Sequence, residues 1–244
     1  MRGRLRSGQE ESAMATRGVR DYFDARASSQ GASETPPEGD RALMVRLMSE
    51  RVQGDILELG CGMTPSMSAR AEQDRIVAVD LSLASLRRVD GAWGRVCGDA
   101  GGMPFARGSF HGAVSAHVFH HLAGRNASES HHLLHAVIGE LARVVRLRGV
   151  VAVADTVLAG PFSGLERPLF AVVRVASWFF RAPAVMFRAA RSLEAAFASG
   201  GFQVREILAL PTSGKPLTPW KSSLRWPMAW SPLRDVMLVL QRAE

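Results

Sequence analysis

The sequence predicts an α/β domain built on a parallel sheet covered on both faces. Two observations carry this. From Asp55 onward, short apolar runs alternate with segments of helical periodicity. Several of those runs, at 56–59, 75–81 and 150–157, are apolar nearly throughout instead of alternately polar, as strands buried on both faces must be. The chain has 244 residues, enough for one such domain and too few for two large ones. Apolar residues make up 47% and charged residues 22%, a balance that supports a packed core and excludes a disordered chain.

Residues 1–18 are polar and basic and read as a loose tail, with a short helix possible over 18–27 and a linker over 28–39 (SSQGASETPPEG). A flexible N-terminal tail and linker is therefore expected over 1–39, and the domain over 40–244. Asp40 suits the cap of a helix over 41–51, with Leu43, Leu47 and Met48 on one face. Strands follow at 56–59, 75–81, 96–98 and 112–118, with helices at 65–73 and 82–89 between them. Residues 131–146 form a strong amphipathic pattern, with Leu134, Val137, Ile138, Leu141, Val144 and Val145 at helical spacing and Gly149 marking the end. Residues 150–157 are again a strand. Residues 193–198 read as helix, and 202–210 and 234–240 as two last strands. The connection over 211–233, rich in Pro and Trp, is longer than compact domains ordinarily use and marks a functional or mobile segment. No internal repeat is visible.

The formal net charge is +7, which taken alone suggests an acidic partner. Of the 30 basic residues, however, only Lys215 and Lys221 are lysines. An arginine excess that lopsided is the mark of coding bias, and a nucleic-acid footprint needs clustering. No nucleic-acid partner is expected. Two cysteines, Cys61 and Cys97, make no disulfide framework and sit in no metal-ligand spacing, which fits a reducing cytoplasmic setting. No signal-peptide run follows the N-terminal arginines, and the most apolar stretch, 169–187, is interrupted by Arg174, Arg181 and Pro183.

The chemistry-bearing motif is Glu58-Leu59-Gly60-Cys61-Gly62, a glycine turn between a strand and a helix. Glycines there let the backbone bend tightly and a ligand approach it. Alone, the turn reads equally well as an ordinary strand-to-helix connection. Asp80 closes the next strand, about 20 residues on, where a carboxylate can accept both ribose hydroxyls of an adenosine ligand. Its alternative is the N-cap of the helix at Ser82. Asp99 ends the following strand before Ala100-Gly101-Gly102; its carboxylate could accept from an adenine amino group while the Ala100 N–H donates to a ring nitrogen. The alternative is a turn-forming aspartate. No Gly-x-Gly-x-x-Gly is present, which disfavours a dinucleotide.

In ILELGCG (56–62), VAVDLS (77–82), CGDAGGMPFARGSF (97–110), GAVSAHVFHHL (112–122) and GELARVVRLRGVVAVAD (139–155), the sequence resembles the class I S-adenosylmethionine-dependent methyltransferases, notably the subgroup of ubiquinone, menaquinone and small-molecule methyltransferases. The resemblance covers roughly residues 40–240. It implies a Rossmann-like, doubly wound, mostly parallel seven-stranded sheet with an antiparallel last strand, and S-adenosyl-L-methionine as cofactor. Gly60 and Gly62 would pass under its methionine and ribose portions, and Glu58 would hold the amino-acid end. Asp80 would take the ribose hydroxyls and Leu81 would pack on the adenine. Asp99 and Ala100 would contact the adenine edge, and Ser115 would lie near the methionine. Thr64 stands where the family often has a third glycine, and the fourth strand lacks the Asn-Pro-Pro-Tyr motif of amino-methylating enzymes.

On the acceptor side, His117 follows the fourth strand, where substrate-facing residues of such sheets project, and is the candidate general base. His120 and His121 lie one helical turn further, and a structural His-His-Leu is the alternative. His131 and His135, at i, i+4, read as a solvated helix start, so no metal site is expected. In 165–191, Arg167, Arg174, Arg181 and Arg188 recur every seven residues among Phe170, Val173, Trp178, Phe179, Phe180 and Phe187, with breaks expected at Pro168 and Pro183. Three readings stay open for it: a helical lid over an apolar small-molecule acceptor, a peripheral membrane contact, or a helical cap packed on the sheet. The rival to an enzyme is a non-catalytic binding module that keeps the fold.

Overall fold

The computed structural model describes residues 17–29, 40–63, 74–89, 92–211 and 232–244. The expected helix over 65–73 and the tryptophans Trp220, Trp226 and Trp230 lie outside them. Seven strands form one sheet: β1 (Asp55–Leu59), β2 (Arg75–Asp80), β3 (Gly94–Cys97), β4 (Phe110–Ala116), β5 (Val145–Leu158), β6 (Phe202–Ala209) and β7 (Leu233–Arg242). Their order is β3-β2-β1-β4-β5-β7-β6. The pairs among β1 to β5 are parallel, and β7 runs antiparallel between β5 and β6. The expected mostly parallel, seven-stranded Rossmann-like sheet is thus present, its last strand reversed. The order turns back between β1 and β4, and crevices of such sheets open at the carboxyl ends of the strands beside that switch point.

The helices are α1 (residues 17–29), α2 (Asp40–Arg51), α3 (Leu83–Leu86), α4 (Ala127–Val144), α5 (Glu166–Phe180) and α6 (Ala190–Ser199). Because strand side chains alternate, Leu57, Val77, Val79, Val151 and Val153 pack on one face of the sheet against Leu134, Ile138 and Leu141 of α4 and Phe197 of α6. Ile56, Ile76, Val114, Ala152 and Ala154 pack on the other face against Met44 and Met48 of α2. Each fully buried side chain of this size contributes about 1.5–3 kcal/mol.

The short helix expected over 18–27 is present and spans 17–29. Asp24 ties it down: its Oδ1 accepts from Ser82 Oγ at 2.6 Å and from the Ala84 N–H at 3.1 Å. Three local expectations change. Helix α2 buries Met44 and Met48 at i, i+4, so its inward face is turned away from Leu43. Helix α4 starts four residues before His131, because Asn126 accepts from the Glu129 N–H and caps it there. It also ends sooner, at Val144; β5 begins at once and shifts register against β4 around Arg148, whose φ is 63°. Pro168 breaks nothing, since it falls in the first turn of α5, where backbone N–H groups have no partner within the helix.

Candidate active site

The glycine turn sits at the carboxyl end of β1. The Gly60 N–H donates to Val79 O at 2.7 Å and the Gly62 N–H to Asp80 Oδ2 at 2.8 Å, so the turn is bound along the end of β2. Both glycines have positive φ, 65° and 58°. They differ in what a side chain would meet. A Cβ on Gly60 would stand 2.2 Å from Val118 Cγ2, whereas among the described residues no atom lies within 4 Å of a Cβ on Gly62. Among the described residues, the space above Gly62 is open.

Asp80 faces that space. Its Oδ1 accepts from the Ser82 N–H at 2.8 Å. Burial pushes its carboxyl above the ordinary value, while the amides of Ser82 and Gly62 draw it back and the charge of Asp24 adds to the rise. The alternative role as helix cap falls to Ser82, whose hydroxyl accepts from the Ser85 N–H. Leu81 is half-buried beside Asp80. Glu58, 2% exposed, shares its surroundings with Arg41 of α2, whose guanidinium is pushed down by burial and partly restored by the Glu58 charge. Ser115 is buried and donates to Leu59 O at 3.3 Å, tying β4 to β1. Burial raises the Cys61 thiol far above its usual range, so it is unreactive. Asp99 is exposed and accepts from the Gly101 N–H at 2.8 Å, while Gly102 N–H donates to its carbonyl. The turn-forming role thus occupies one of its oxygens. Ala100, half-buried, packs against the main core.

A second constellation stands at the ends of β4 and β5. His117 is left-handed, φ 57°, and its N–H still donates to Ala154 O at 2.8 Å. A non-glycine residue there costs about 1–2 kcal/mol, a cost that tends to be kept at functional positions. The backbone then makes one 3₁₀ turn over Phe119–His121. Asp155, 1% exposed, grips that turn: its Oδ2 accepts from the His120 N–H at 2.9 Å, and its Oδ1 lies 2.5 Å from His120 Nδ1. Burial pushes the Asp155 carboxyl up, but the charge and hydrogen bond of His120, with His117 and the Thr156 amide, outweigh it and leave it below the ordinary range. His121 turns away from this chemistry. Burial, then the neighbouring His120, pushes it down to about 3, so the ring is neutral, and it meets Phe23 of α1 edge-on at 5.2 Å. His121 is thus held in the core, while His120 is bonded to Asp155.

Residues 57–153 match the family model described as a methyltransferase domain. Solved structures agree in fold. Geranyl diphosphate C-methyltransferase from Streptomyces coelicolor A3(2), solved with Mg2+, geranyl diphosphate and S-adenosyl-L-homocysteine, aligns at TM-score 0.64 and 14% identity over 94% of this chain and 98% of that one. A putative methyltransferase in complex with the Haloferax volcanii Trm112 methyltransferase activator aligns at 0.63 and 17% over 93% and 98%. The [4+2]-cyclase SpnF aligns at 0.60 and 14% over 88% and 86%. At these identities the likeness is one of fold.

Three residues around this site were missed from sequence. Asp155 was legible as a carboxylate closing an apolar strand, the same signal that marks Asp80. Asp24 had no signal, since its partners lie 58 and 60 residues away. Arg188 was misplaced. It does not share an outer face with Arg167, Arg174 and Arg181 but is 4% exposed. Its guanidinium donates to Phe119 O at 2.8 Å, Leu122 O at 2.7 Å and Ser130 O at 3.0 Å, so it clamps the histidine turn to the start of α4. Burial pushes it down to about 10, still charged at neutral pH. Phe187 beside it stacks on His120 at 5.8 Å, and the Met186 N–H donates to His120 O.

Proposed function

We propose that this chain is an S-adenosyl-L-methionine-dependent methyltransferase acting on a small, apolar or aromatic acceptor, of the ubiquinone/menaquinone and small-molecule kind. The observation that carries this is the Gly62 amide bonded to Asp80 beneath an open cradle at the switch point of the sheet. A ligand with an adenosine half fits there: Asp80 takes the ribose hydroxyls, Leu81 packs on the base, and Asp99 with Ala100 reads the adenine edge. Gly60, Gly62, Glu58 and Ser115 line the methionine half. When bound, the cofactor supplies a methyl group made electrophilic by its sulfonium. The protein holds the acceptor in line with it, an orientation effect worth several kcal/mol, and His117 takes the proton of an acceptor that carries one. Residues 40–244 form the catalytic domain, with 165–191 as its lid, and α1 belongs to the N-terminal extension. The two free cysteines fit a cytoplasmic setting.

Isothermal titration is expected to find one S-adenosyl-L-methionine per chain, and Asp80→Ala to weaken it at least tenfold, about 1.4 kcal/mol. Tight NADH binding with no S-adenosyl-L-methionine binding would overturn the assignment. SpnF, by its description a cyclase on this fold, makes a second assay necessary. Release of S-adenosyl-L-homocysteine from a screened acceptor pool separates a methyltransferase from a binding module.

One observation favours a membrane-dissolved acceptor. Helix α5 leaves Val172, Val175, Trp178 and Phe179 exposed by 66–80%, with Arg167, Arg174 and Arg181 exposed as well. Basic amphipathic helices of this kind lie in anionic membrane interfaces. No described helix is long and apolar enough to cross a membrane. The protein is expected to co-sediment with phosphatidylglycerol vesicles and to lose that binding in the double variant Trp178→Ser, Phe179→Ser. Equal recovery of both proteins in the supernatant would leave the lid facing water.

A further inference from the structure

His117, His120 and Asp155 each turn one donor atom toward a common point, and these three atoms lie within 4.8 Å of one another. Sequence spacing gave no hint of a metal site, because the fold assembles this one from two strand ends. His117 arrives through a strained left-handed backbone, φ 57°. His120 is set by the 3₁₀ turn, and Asp155 by β5. The three are unequally buried, with Asp155 enclosed and both histidines partly buried. That gradient suits an ion seated at the protein wall with its remaining positions facing the crevice.

We infer that His117, His120 and Asp155 form a binding site for a divalent ion of the borderline class, Zn2+ being the type. Two imidazoles and one carboxylate select such ions over Mg2+ or Ca2+, which prefer oxygen. Bonds of about 2.0–2.1 Å place neighbouring donors roughly 3 Å apart, so the cluster needs only a modest contraction toward the ion. Coordination through His120 Nδ1 breaks its hydrogen bond to Asp155 Oδ1, and the neutral imidazole keeps its proton on Nε2. The amides of His120 and Thr156 keep hold of Asp155 and orient it as outer partners orient metal ligands. Three protein donors leave at least one position open. An acceptor hydroxyl bound there gives its proton to water more readily, and the ion then takes over the task otherwise given to His117, which becomes a ligand.

The test uses the full-length protein, stripped with chelator and titrated calorimetrically with Zn2+, with Co2+ absorption as a second readout. One Zn2+ per chain is expected. His117→Ala and His120→Ala should each weaken Zn2+ at least a hundredfold and abolish the Co2+ bands. His131→Ala, in the other histidine pair, should change neither. Mg2+ should not compete. Far-ultraviolet circular dichroism checks that the variants fold, and if His120→Ala does not, His117→Ala decides. No Zn2+ uptake by the wild-type protein, or uptake indifferent to His117→Ala, overturns the site. None of these readouts involves S-adenosyl-L-methionine, so the result stands apart from the methyltransferase assignment.

Discussion

Gly60→Ala is expected to lower both thermal stability and S-adenosyl-L-methionine affinity, the latter at least tenfold. Two costs combine. The backbone at φ 65° disfavours any side chain by about 1–2 kcal/mol. The new methyl would also stand 2.2 Å from Val118 Cγ2, so the loop must shift. Val118 sits directly between His117 and the histidine turn, and the shift therefore reaches the acceptor side as well as the cofactor side. The double variant Gly60→Ala, Val118→Ala separates the two costs by removing the blocking methyl and leaving the strain. It should recover part of the loss in a thermal melt. Gly62→Ala, which meets open space, should melt closer to wild type. If the double variant is no better than the single, the steric account is wrong.

Arg188→Met should cost more than any surface change, about 3–5 kcal/mol in urea unfolding. The methionine fills much of the volume but donates nothing, and the carbonyls of Phe119, Leu122 and Ser130 lose their shared donor. Each buried unsatisfied group costs about 1–3 kcal/mol. Arg188→Lys should recover only a fraction, because a single ammonium cannot span the carbonyls that the planar guanidinium reaches together. A melt of Arg188→Met within 1 kcal/mol of wild type would show that water replaces the guanidinium. Hydrogen exchange at residues 119–122 adds a local readout, since those amides should lose protection first.

The sheet was legible because apolar runs such as Val151–Asp155 have no other stable home in water than between two layers of helices. Gly60, Gly62 and Asp80 were legible because turn chemistry and a strand-ending carboxylate are local signals. The limits of helix α4 were misjudged because Asn126, a side-chain cap, outweighs the apolar periodicity that starts later. Arg188 was illegible for a different reason. Its heptad spacing with Arg167, Arg174 and Arg181 grouped it with those exposed arginines, but α5 stops at Phe180 and the chain returns extended toward the bridge between Leu158 and Ala189. Periodicity cannot see where a helix ends in the absence of a cap, and a buried cation satisfied by carbonyls leaves no acidic partner in the sequence to betray it. The convergence of His117, His120 and Asp155 is likewise a product of strand pairing, which no spacing rule encodes.

Helix α1 docks through Asp24 at the start of α3 and Phe23 on His121, with Ala27 buried. A helix of that length is marginal on its own in water, so docking and helicity stand or fall together. Its detachment is a local opening whose free energy is far below that of unfolding the sheet. The rim of the crevice at Ser82 can therefore be uncovered and covered again many times while the sheet stays intact. Opening of this helix and unfolding of the sheet are thus separate events, set by separate parts of the sequence, and a global melt reports only the second.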